Sequence, residues 1–219
     1  MLKLNHLTGF GSGAGAAAGG DVTSYVFDGA NSYLSIADHA DLDFPNGGDF
    51  TIEFFVRLPS GSPAGDIVFY EQFQDSTNYI RMVMASSGAM DFQVYQSSSV
   101  VIDVLSSAAI FSDNTWHHFA ICRDGNDWFM YVDGTDVTSS GSPDSDTPAA
   151  QSGDLLIGVK GDISGDLIGH LDEYRISDTC RYPSGTPFTP TTTQFTSDAN
   201  TLLLIHGGEA IASGATGSG

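Results

Sequence analysis

The adjacent histidines His117 and His118 are the first place where this sequence could bind a metal ion. Neighbouring residues on a β-strand point to opposite faces, so these two imidazoles cannot chelate one ion as a local pair. We therefore expect one of them to lie against the core and the other at the surface. The chain has no His-x-x-x-His or Cys-x-x-Cys spacing, so nothing in the sequence supports a zinc site.

The two cysteines, Cys122 and Cys180, are far apart in the sequence, and neither lies in a recognisable nucleophile motif. One interpretation is a single disulfide, and the other is a pair of reduced, partly buried thiols. The N-terminus has a lone Lys3 and no continuous apolar centre, so we predict no secretory signal. The absence of such a signal favours the reduced thiols.

The acidic residues argue against glycoside hydrolysis, because almost all of them are aspartates. Only four of the 27 are glutamates, namely Glu53, Glu71, Glu173 and Glu209. A retaining glycoside hydrolase needs two carboxyl groups about 5 Å apart, and no two glutamates are closer in sequence than Glu53 and Glu71. The Gly-x-Ser-x-Gly elbow of serine hydrolases is also missing. We predict that the protein is not an enzyme.

The charge balance excludes one large class of partner. The chain has 7 Lys and Arg against 27 Asp and Glu, which gives a formal net charge of −20. Phosphate neutralisation requires clustered cations, so we expect no nucleic-acid partner. We also expect no membrane partner, because no apolar stretch approaches the length of about 18 residues that a spanning helix needs.

Apolar residues recur with a period of two, which indicates β-strands. In residues 50–58 one face carries Phe50, Ile52, Phe54, Val56 and Leu58, and this alternation predicts a long, half-buried strand. Further strands are predicted at residues 25–27, 33–36, 67–71, 79–85, 90–96, 100–105, 116–123, 128–132, 155–159, 171–176 and 202–205. Residues 124–127 predict a tight hairpin in which Gly125 or Asn126 supplies a positive φ. About a dozen strands at this spacing predict an all-β sandwich or barrel.

The ends of the chain differ in composition from its centre. We divide it into a Gly/Ala-rich N-terminal arm at residues 1–21, a β-sandwich at residues 22–206 and a Gly/Ser/Ala-rich tail at residues 207–219. Arms of this composition bury too little apolar surface to order on their own. We find no internal repeat and no domain boundary within residues 22–206.

Four local patterns follow one another in a recognisable order. They are Phe-Asp-Gly at 27–29 with Tyr-Leu-Ser-Ile at 33–36, DFTIEFFV at 49–56, TWHHFA at 115–120 with RDG at 123–125 and YVDG at 131–134, and GHLDEYRI at 169–176. Together they resemble the laminin-G-like jelly rolls of the concanavalin-A-like lectin and glucanase superfamily. The resemblance implies a two-sheet antiparallel jelly-roll sandwich. It places the strand that follows Trp116 in the centre of a sheet and pairs residues 171–176 with a strand near the start of the chain.

The resemblance also implies a calcium site, since many such domains carry calcium, which prefers several hard oxygen ligands. The candidate ligands are Asp28, Asn31, Asp172 and Glu173. In the other interpretation Asp28 only caps its turn and Glu173 pairs with Arg175 or Arg57. The Glu-x-Asp-x-Glu pattern of the superfamily's laminarinase-like enzymes is absent, which agrees with a protein that is not an enzyme.

Lectins of this superfamily bind sugars on loops or on a sheet face, where aromatic rings stack against the ligand. Candidate exposed aromatics are Tyr70, Tyr79, Tyr95 and Trp128. Aromatic residues in strands usually belong to the core, so we expect at least half of these four to be buried.

A second resemblance lies downstream, in Arg-Tyr at 181–182, Pro-Phe-Thr-Pro at 187–190, Phe195, Asp198 and residues 201–204. These residues resemble the C-terminal part of laminin-G-like modules in tail and other virion proteins of bacteriophages. The resemblance implies a non-enzymatic virion structural protein, as capsid decoration or tail appendage, assembled in the host cytoplasm. Residues 1–20 and 207–219 would then contact other virion proteins and further copies of this chain, with a surface glycan as an additional ligand. The alternative is a carbohydrate-active enzyme or a free carbohydrate-binding module.

Overall fold

A computed structural model describes residues 4–8, 13–14, 23–30, 32–44, 48–61, 64–107, 113–162 and 164–207. Within these ranges the chain forms two antiparallel sheets of eight strands each. Single turns of 3-10 helix occur at Ala40–Leu42 and Pro183–Gly185. None of the described residues forms a helix long and apolar enough to span a membrane.

Sheet 1 contains the long hairpins of the middle of the chain. Its strands follow the order β1 (Leu4–Thr8), β4 (Tyr33–Ile36), β14 (Leu155–Ile157), β6 (Ile67–Asp75), β7 (Asn78–Met84), β8 (Met90–Gln96), β9 (Ser99–Ser106) and β13 (Thr138–Ser140).

Sheet 2 contains the strands that carry most of the family-like motifs. Its order is β12 (Thr135–Asp136), β11 (Asp127–Val132), β10 (His117–Asp124), β5 (Phe50–Arg57), β15 (Ile168–Ser177), β3 (Thr23–Asp28) and β2 (Gly13–Ala14), and β16 (Thr201–Ile205) also pairs with β15. The strand after Trp116 is therefore central, and β15 pairs with β3 near the start of the chain. The predicted all-β jelly-roll sandwich is confirmed.

The core lies between the two sheets, and β5 shows how the sequence builds it. Ile52 and Phe54 on its inner face are fully buried. The ring of Phe54 stacks on Phe69 of sheet 1 with centroids 4.9 Å apart, and on Tyr174 of β15 at 5.5 Å. Burying an aromatic or aliphatic side chain of this size contributes roughly 1.5–3 kcal/mol, so this face anchors the sandwich.

The outer face of β5 is also buried, which differs from the half-buried strand predicted from its alternation. Residues 178–200, which we call the closing segment, pack over this side of sheet 2. The Thr51 hydroxyl donates to the carbonyl of Thr179 at 2.7 Å, and the ring of Phe55 lies 5.9 Å from that of Phe195. The alternating sequence of β5 does not reveal a cover contributed by residues so far downstream.

The predicted hairpin at residues 124–127 is confirmed. Asp124 pairs with Asp127 at the end of β10 and β11, and Gly125 has a φ of +61°. This is the left-handed region that glycine adopts without steric cost. The turn fixes the register of β10, the strand whose outer side carries His118, Ala120 and Cys122.

Two short pieces of the predicted N-terminal arm lie in the sheets. β1 pairs antiparallel with β4, and β2 pairs antiparallel with β3. The other residues of the arm, and residues 208–219 of the tail, lie outside the described residues.

Candidate functional site

The outward side of sheet 1 carries polar and aromatic side chains across β6 to β9. Along β7 and β8 the side chains alternate, so that Ile80, Met82, Phe92 and Val94 are fully buried, while Tyr79, Arg81, Asp91, Gln93 and Tyr95 are partly exposed. We call the outward set the polar face of sheet 1 and define it by Glu71, Tyr79, Arg81, Asp91, Gln93, Tyr95 and Asp103. Strand register places four of these in one row, because Glu71, Arg81, Gln93 and Asp103 are successive cross-strand partners.

Two tyrosines form an aromatic surface at one end of this face. Tyr79 and Tyr95 are direct cross-strand partners, and their rings stack with centroids 4.9 Å apart and planes 11° apart. The guanidinium carbon of Arg81 lies 4.3 Å from the centre of the Tyr79 ring. Among the described residues, Tyr95 has no second ring or cation contact. The side chain of Tyr95 is partly exposed, so part of its ring is available to a ligand.

Arg81 is held in place by a carboxylate on the neighbouring strand. Oε1 of Glu71 accepts hydrogen bonds from Nε of Arg81 at 2.9 Å and from Nη2 at 2.5 Å. Oε2 of Glu71 accepts from the backbone N–H of Gly161 at 2.6 Å. Burial raises the pKa of Glu71, and the nearby Arg81 offsets part of this rise. With both oxygens of Glu71 engaged, Arg81 is a pre-oriented donor beside the tyrosines.

Two aspartates occupy the other end of the polar face. Burial raises the pKa of Asp91 to about 7, and the neighbouring carboxyl group of Asp103 adds to this rise. Oδ1 of Asp91 is buried and has no hydrogen-bond partner among the described residues. Oδ1 of Asp103 accepts from the side-chain amide of Gln93 at 3.3 Å. With a pKa of about 7, the carboxyl group of Asp91 is partly protonated near neutral pH, so it can both donate and accept hydrogen bonds.

The polar face combines groups that suit a polyhydroxylated ligand. A flat ring stacks against apolar C–H faces, while a guanidinium, an amide and two carboxyl groups exchange hydrogen bonds with hydroxyls. Because the side chains stand on paired strands, their spacing is fixed by strand register.

The four aromatic candidates from the sequence divide evenly. Tyr70 and Trp128 are fully buried. The Tyr70 hydroxyl donates to Gln72 at 2.9 Å, and the Trp128 indole donates to the carbonyl of Asp144 at 3.3 Å. Tyr79 and Tyr95 lie on the polar face, so the expectation that at least half would be buried is confirmed. Sequence reasoning missed the polar members of the face, although their alternation with apolar residues in β7 and β8 was visible.

The structure separates the proposed calcium ligands. Asp28 is exposed at the end of β3, where its carboxylate accepts from the Ala30 N–H at 2.9 Å and from the Ser32 hydroxyl. These hydrogen bonds hold the pKa of Asp28 below its ordinary value. Asp28 pairs with Ile168, and Asp172 lies four residues farther along β15, about 13 Å away at the usual rise per residue. Asn31 lies outside the described residues.

The other two proposed ligands are buried among protein partners. Oδ1 of Asp172 accepts from the backbone N–H of Gly207 at 2.6 Å. Glu173 accepts from the Phe195 N–H at 2.6 Å and pairs with His206 at 2.8 Å, in place of the Arg175 or Arg57 partner considered above. The described residues contain no group of three or more His, Cys, Asp or Glu side chains arranged to hold a metal. Calcium binding stays a prediction, and a melting temperature that rises with calcium and falls with chelator would support it.

His117 and His118 point to opposite faces of β10, as predicted. His117 is partly exposed and lies between Asp133 at 2.7 Å and Asp113 at 3.1 Å. Burial lowers the pKa of His117, but hydrogen bonds to Asp133 and Asp113 more than compensate, so the pKa lies above its ordinary value. His118 is buried on the outer side of sheet 2, beneath the closing segment, and its Nε2 lies 3.1 Å from Glu53.

The two cysteines are free thiols that lie close together. Thr51 lies between the two thiols. Its hydroxyl is 3.4 Å from Sγ of Cys122, and it accepts a hydrogen bond at 2.9 Å from the backbone N–H of Arg181, the residue after Cys180. Cys180 packs against the cluster that contains Cys122 and Tyr131. Reduced, partly buried thiols are therefore what the structure contains.

Residues 28–184 match a laminin G family model described as the concanavalin A-like lectin/glucanases superfamily. The chain belongs to this family. The matched residues include strands β4 to β15 and with them the whole polar face of sheet 1. No curated protein matches the sequence of this chain.

Solved structures similar to this superfamily domain include three that come from different kinds of protein. The binding domain of Paraclostridial Mosquitocidal Protein 1 has a TM-score of 0.65 at 16% identity over 82% of this chain and 44% of that chain. A candidate carbohydrate-binding protein from Bacteroides ovatus has a TM-score of 0.60 at 14% identity over 84% and 51%. Domain 4 of AbnA, an extracellular arabinanase of Geobacillus stearothermophilus solved with arabinotriose, has a TM-score of 0.55 at 18% identity over 82% of both chains. The chain thus spans about half the length of the first two.

Proposed function

We propose that this chain is a non-catalytic carbohydrate-binding domain whose ligand site is the polar face of sheet 1. The stacked pair of Tyr79 and Tyr95 carries the proposal, because an open aromatic ring beside a fixed guanidinium is the arrangement that sugar rings use for stacking and hydrogen bonding. Gln93 and Asp103 extend the row of polar groups across two further strands. A linear glycan lying across β7 to β9 would contact all of them.

The similar structures support the ligand class. One is described as a candidate carbohydrate-binding protein, and another is a domain of an arabinanase solved in complex with arabinotriose. These descriptions apply to the two similar proteins, and they do not identify the sugar that this chain would bind. A glycan array with the purified chain would identify it.

Tyr95 is the residue to vary in testing this proposal. In a titration with the best glycan of the array, Tyr95→Ala should weaken binding by at least about tenfold, because it removes the open ring. Tyr95→Phe is the matched control, since it keeps the ring and loses only the hydroxyl that donates to the carbonyl of Ser98. Binding by Tyr95→Ala equal to that of the wild type, or no glycan bound at all, would contradict the proposal.

The absence of catalysis is part of the same proposal. Each glutamate of the described residues is buried and engaged, with Glu53 bonded to Arg175, Glu71 to Arg81 and Glu173 to His206. The alternative is a carbohydrate-active enzyme that would use the Asp91 and Asp103 pair. An assay for new reducing ends with the bound glycan separates the two, because hydrolysis that is lost in Asp91→Asn would favour the enzyme.

We further propose that the domain serves in a virus particle, as a capsid decoration or tail appendage present in several copies. The support for this role is the resemblance to modules of bacteriophage virion proteins, which is carried by residues 181–182, 187–190, Phe195, Asp198 and residues 201–204. Glycan binding would then attach the particle to a host surface. Deleting residues 1–20 removes the edge strands β1 and β2 and should leave a folded sandwich that no longer enters particles. An unchanged copy number in purified particles would contradict this role, and cryo-electron microscopy of the particle would locate the domain directly.

A further inference from the structure

A small pocket lies on the outer side of sheet 2, at the end of β5 and away from the polar face of sheet 1. Its volume is about 190 Å³, and its lining includes Val26, Arg57, Pro59, Asn114, Gly169 and His170. Arg57 is the last residue of β5 and pairs directly with His170 of β15. The pocket is therefore framed by backbone from three paired strands, and this framing fixes its shape.

Arg57 brings a positive charge to this pocket without a carboxylate partner. Among the described residues, Arg81, Arg175 and Arg181 each bond a carboxylate, whereas no carboxylate oxygen lies within 4 Å of Arg57. Arg123 also lacks a carboxylate within 4 Å, but its Nε donates to the carbonyl of Gly125 at 2.8 Å. The lack of a carboxylate partner for Arg57 is unexpected in a chain with 27 acidic residues and only 7 Lys and Arg. A cation that is left unpaired in so acidic a protein is available to an anion from outside.

Two buried N–H donors next to this pocket also lack partners. Nε of Arg57 and Nε1 of Trp116 are buried, and neither has a hydrogen-bond partner in the described part of the chain. The guanidinium carbon of Arg57 lies 5.5 Å from the centre of the Trp116 ring, so the two donors belong to side chains in contact. Buried donors are normally satisfied because an unmade hydrogen bond costs free energy. Both nitrogens are closed to solvent here, so an oxygen-rich ligand in the pocket would satisfy them after a small shift of the two side chains.

His170 orients Arg57 and adds no charge of its own. Nη2 of Arg57 donates to Nε2 of His170 at 2.8 Å, and Nδ1 of His170 lies 3.1 Å from the hydroxyl of Ser24. Burial lowers the pKa of His170, and the charge of Arg57 lowers it further. The neutral ring therefore accepts from Arg57 and holds the guanidinium at the pocket, where one side of the guanidinium is committed to His170.

We propose that this pocket binds one oxyanion group, a carboxylate or a sulfate, through the guanidinium of Arg57 and the indole N–H of Trp116. Arginine suits this role because its fork of N–H donors matches two oxygens of such a group. The volume of about 190 Å³ accommodates an anionic group of this size. The anion is either free in solution or attached to a sugar as a uronate or sulfate ester. The site is independent of the polar face of sheet 1, which lies on the other sheet.

Titrations followed by two-dimensional ¹⁵N NMR test the proposal on the full chain. The ligands are sodium sulfate, sodium glucuronate and glucose, in about 0.1 M sodium chloride so that the net charge of the protein is screened beyond about 10 Å. We expect saturable shifts of the Arg57 Nε–H and Trp116 indole N–H signals with sulfate and with glucuronate, and no shift with glucose. Tighter binding of glucuronate than of sulfate would assign the site to an acidic sugar, and the reverse order would assign it to a free anion.

Three variants distinguish anion binding in this pocket from non-specific attraction of anions to the protein. Arg57→Gln should abolish binding, and Trp116→Phe, which keeps an aromatic ring and removes one donor, should weaken it about tenfold. Lys160→Gln removes a cation elsewhere and should leave binding unchanged. If Arg57→Gln unfolds, as judged by near-ultraviolet circular dichroism, Trp116→Phe decides the question alone. Unsaturable shifts in the wild type, or equal binding by Trp116→Phe, would overturn the proposal whatever the outcome of the glycan array.

Discussion

Glu53 and Arg175 are cross-strand partners on β5 and β15, and a single carboxylate oxygen of Glu53 accepts from both Nε and Nη2 of Arg175, at 2.8 and 2.6 Å. The other oxygen meets Nε2 of His118 at 3.1 Å and accepts from the hydroxyl of Tyr182 at 2.7 Å. Burial raises the pKa of Glu53, but these partners more than compensate, so the pKa lies below its ordinary value. A charged carboxylate with no solvent exposure thus joins three strands to the closing segment.

Replacing this carboxylate should be costly. Glu53→Gln leaves the charge of Arg175 buried without a counter-charge, and breaking a buried ion pair in this way costs roughly 3–5 kcal/mol. Urea unfolding should show a correspondingly lower midpoint with an unchanged slope. Asp127→Asn is the control, because it alters an exposed carboxylate and should change stability by less than about 0.5 kcal/mol. Equal midpoints for the two variants would mean that the buried pair contributes little.

Asp91 should make stability fall as pH rises. The pKa of Asp91 is raised from its ordinary value of 3.8 to about 7, so between these values the folded state holds a proton that the unfolded state releases. Stability from this group is therefore greatest below about pH 4 and is lost as pH rises through about 7. Besides burial, the nearby carboxylates of Asp103 and Asp66 raise the pKa of Asp91, and the charge of Arg81 lowers it.

Asp91→Asn tests this direction, because the amide does not titrate. The unfolding free energy of the variant, measured between pH 4.5 and 8, should fall less with rising pH than that of the wild type. Parallel profiles for the two proteins would show that Asp91 titrates near its ordinary value.

The two thiols should differ in reactivity. Burial raises the pKa of Cys122, whereas the hydrogen bond from Cys122 lowers the pKa of the partly exposed Cys180. Since the thiolate is the reactive form, iodoacetamide should label Cys180 first and Cys122 only after denaturation. Peptide mass spectrometry would locate the label, with Cys180→Ser as the control that should stay unlabelled in the native state. Labelling of Cys122 at an equal rate would contradict this order.

Gly134 should be required for docking of the closing segment. It has a φ of +75°, and a Cβ added there would lie 1.7 Å from the carbonyl oxygen of Phe188. Its own carbonyl accepts the Phe188 N–H at 2.9 Å. Gly134→Ala should therefore displace residues around Phe188 and expose the closing segment to protease. Gly125→Ala, at a similar φ but with open space around it, is the matched control and should leave cleavage of the closing segment unchanged.

The sequence predicted the sandwich because its signals are local. The alternation from Phe50 to Leu58 identifies a strand whatever surrounds it, and Gly125 identifies a tight turn by its own conformational freedom. The order of the four family-like motifs then indicated how the strands pair. Strand ends were less predictable, since β6 continues to Asp75, beyond the predicted end at residue 71, through its pairing with β7.

The polar face of sheet 1 depends on pairing between strands, which is not a local signal. Arg81, Gln93 and Asp103 come from three strands, and only their register places them in one row. Register also separates Asp28 from Asp172, which the resemblance to the superfamily had grouped as calcium ligands. The unpaired Arg57 could not be recognised from the sequence, because whether an arginine has a carboxylate neighbour depends on the folded structure.

The partners of Glu53 have a consequence for synthesis on the ribosome. Arg175 and Tyr182 lie 122 and 129 residues after Glu53 in the chain, so their bonds to the carboxylate can form only after those residues have been synthesised. Contacts of such sequence separation form late, because a long loop must close first. We expect β5 and β10 to emerge early with an exposed charged face, and sheet 2 to complete its folding only after the last strand, β16, has left the exit tunnel.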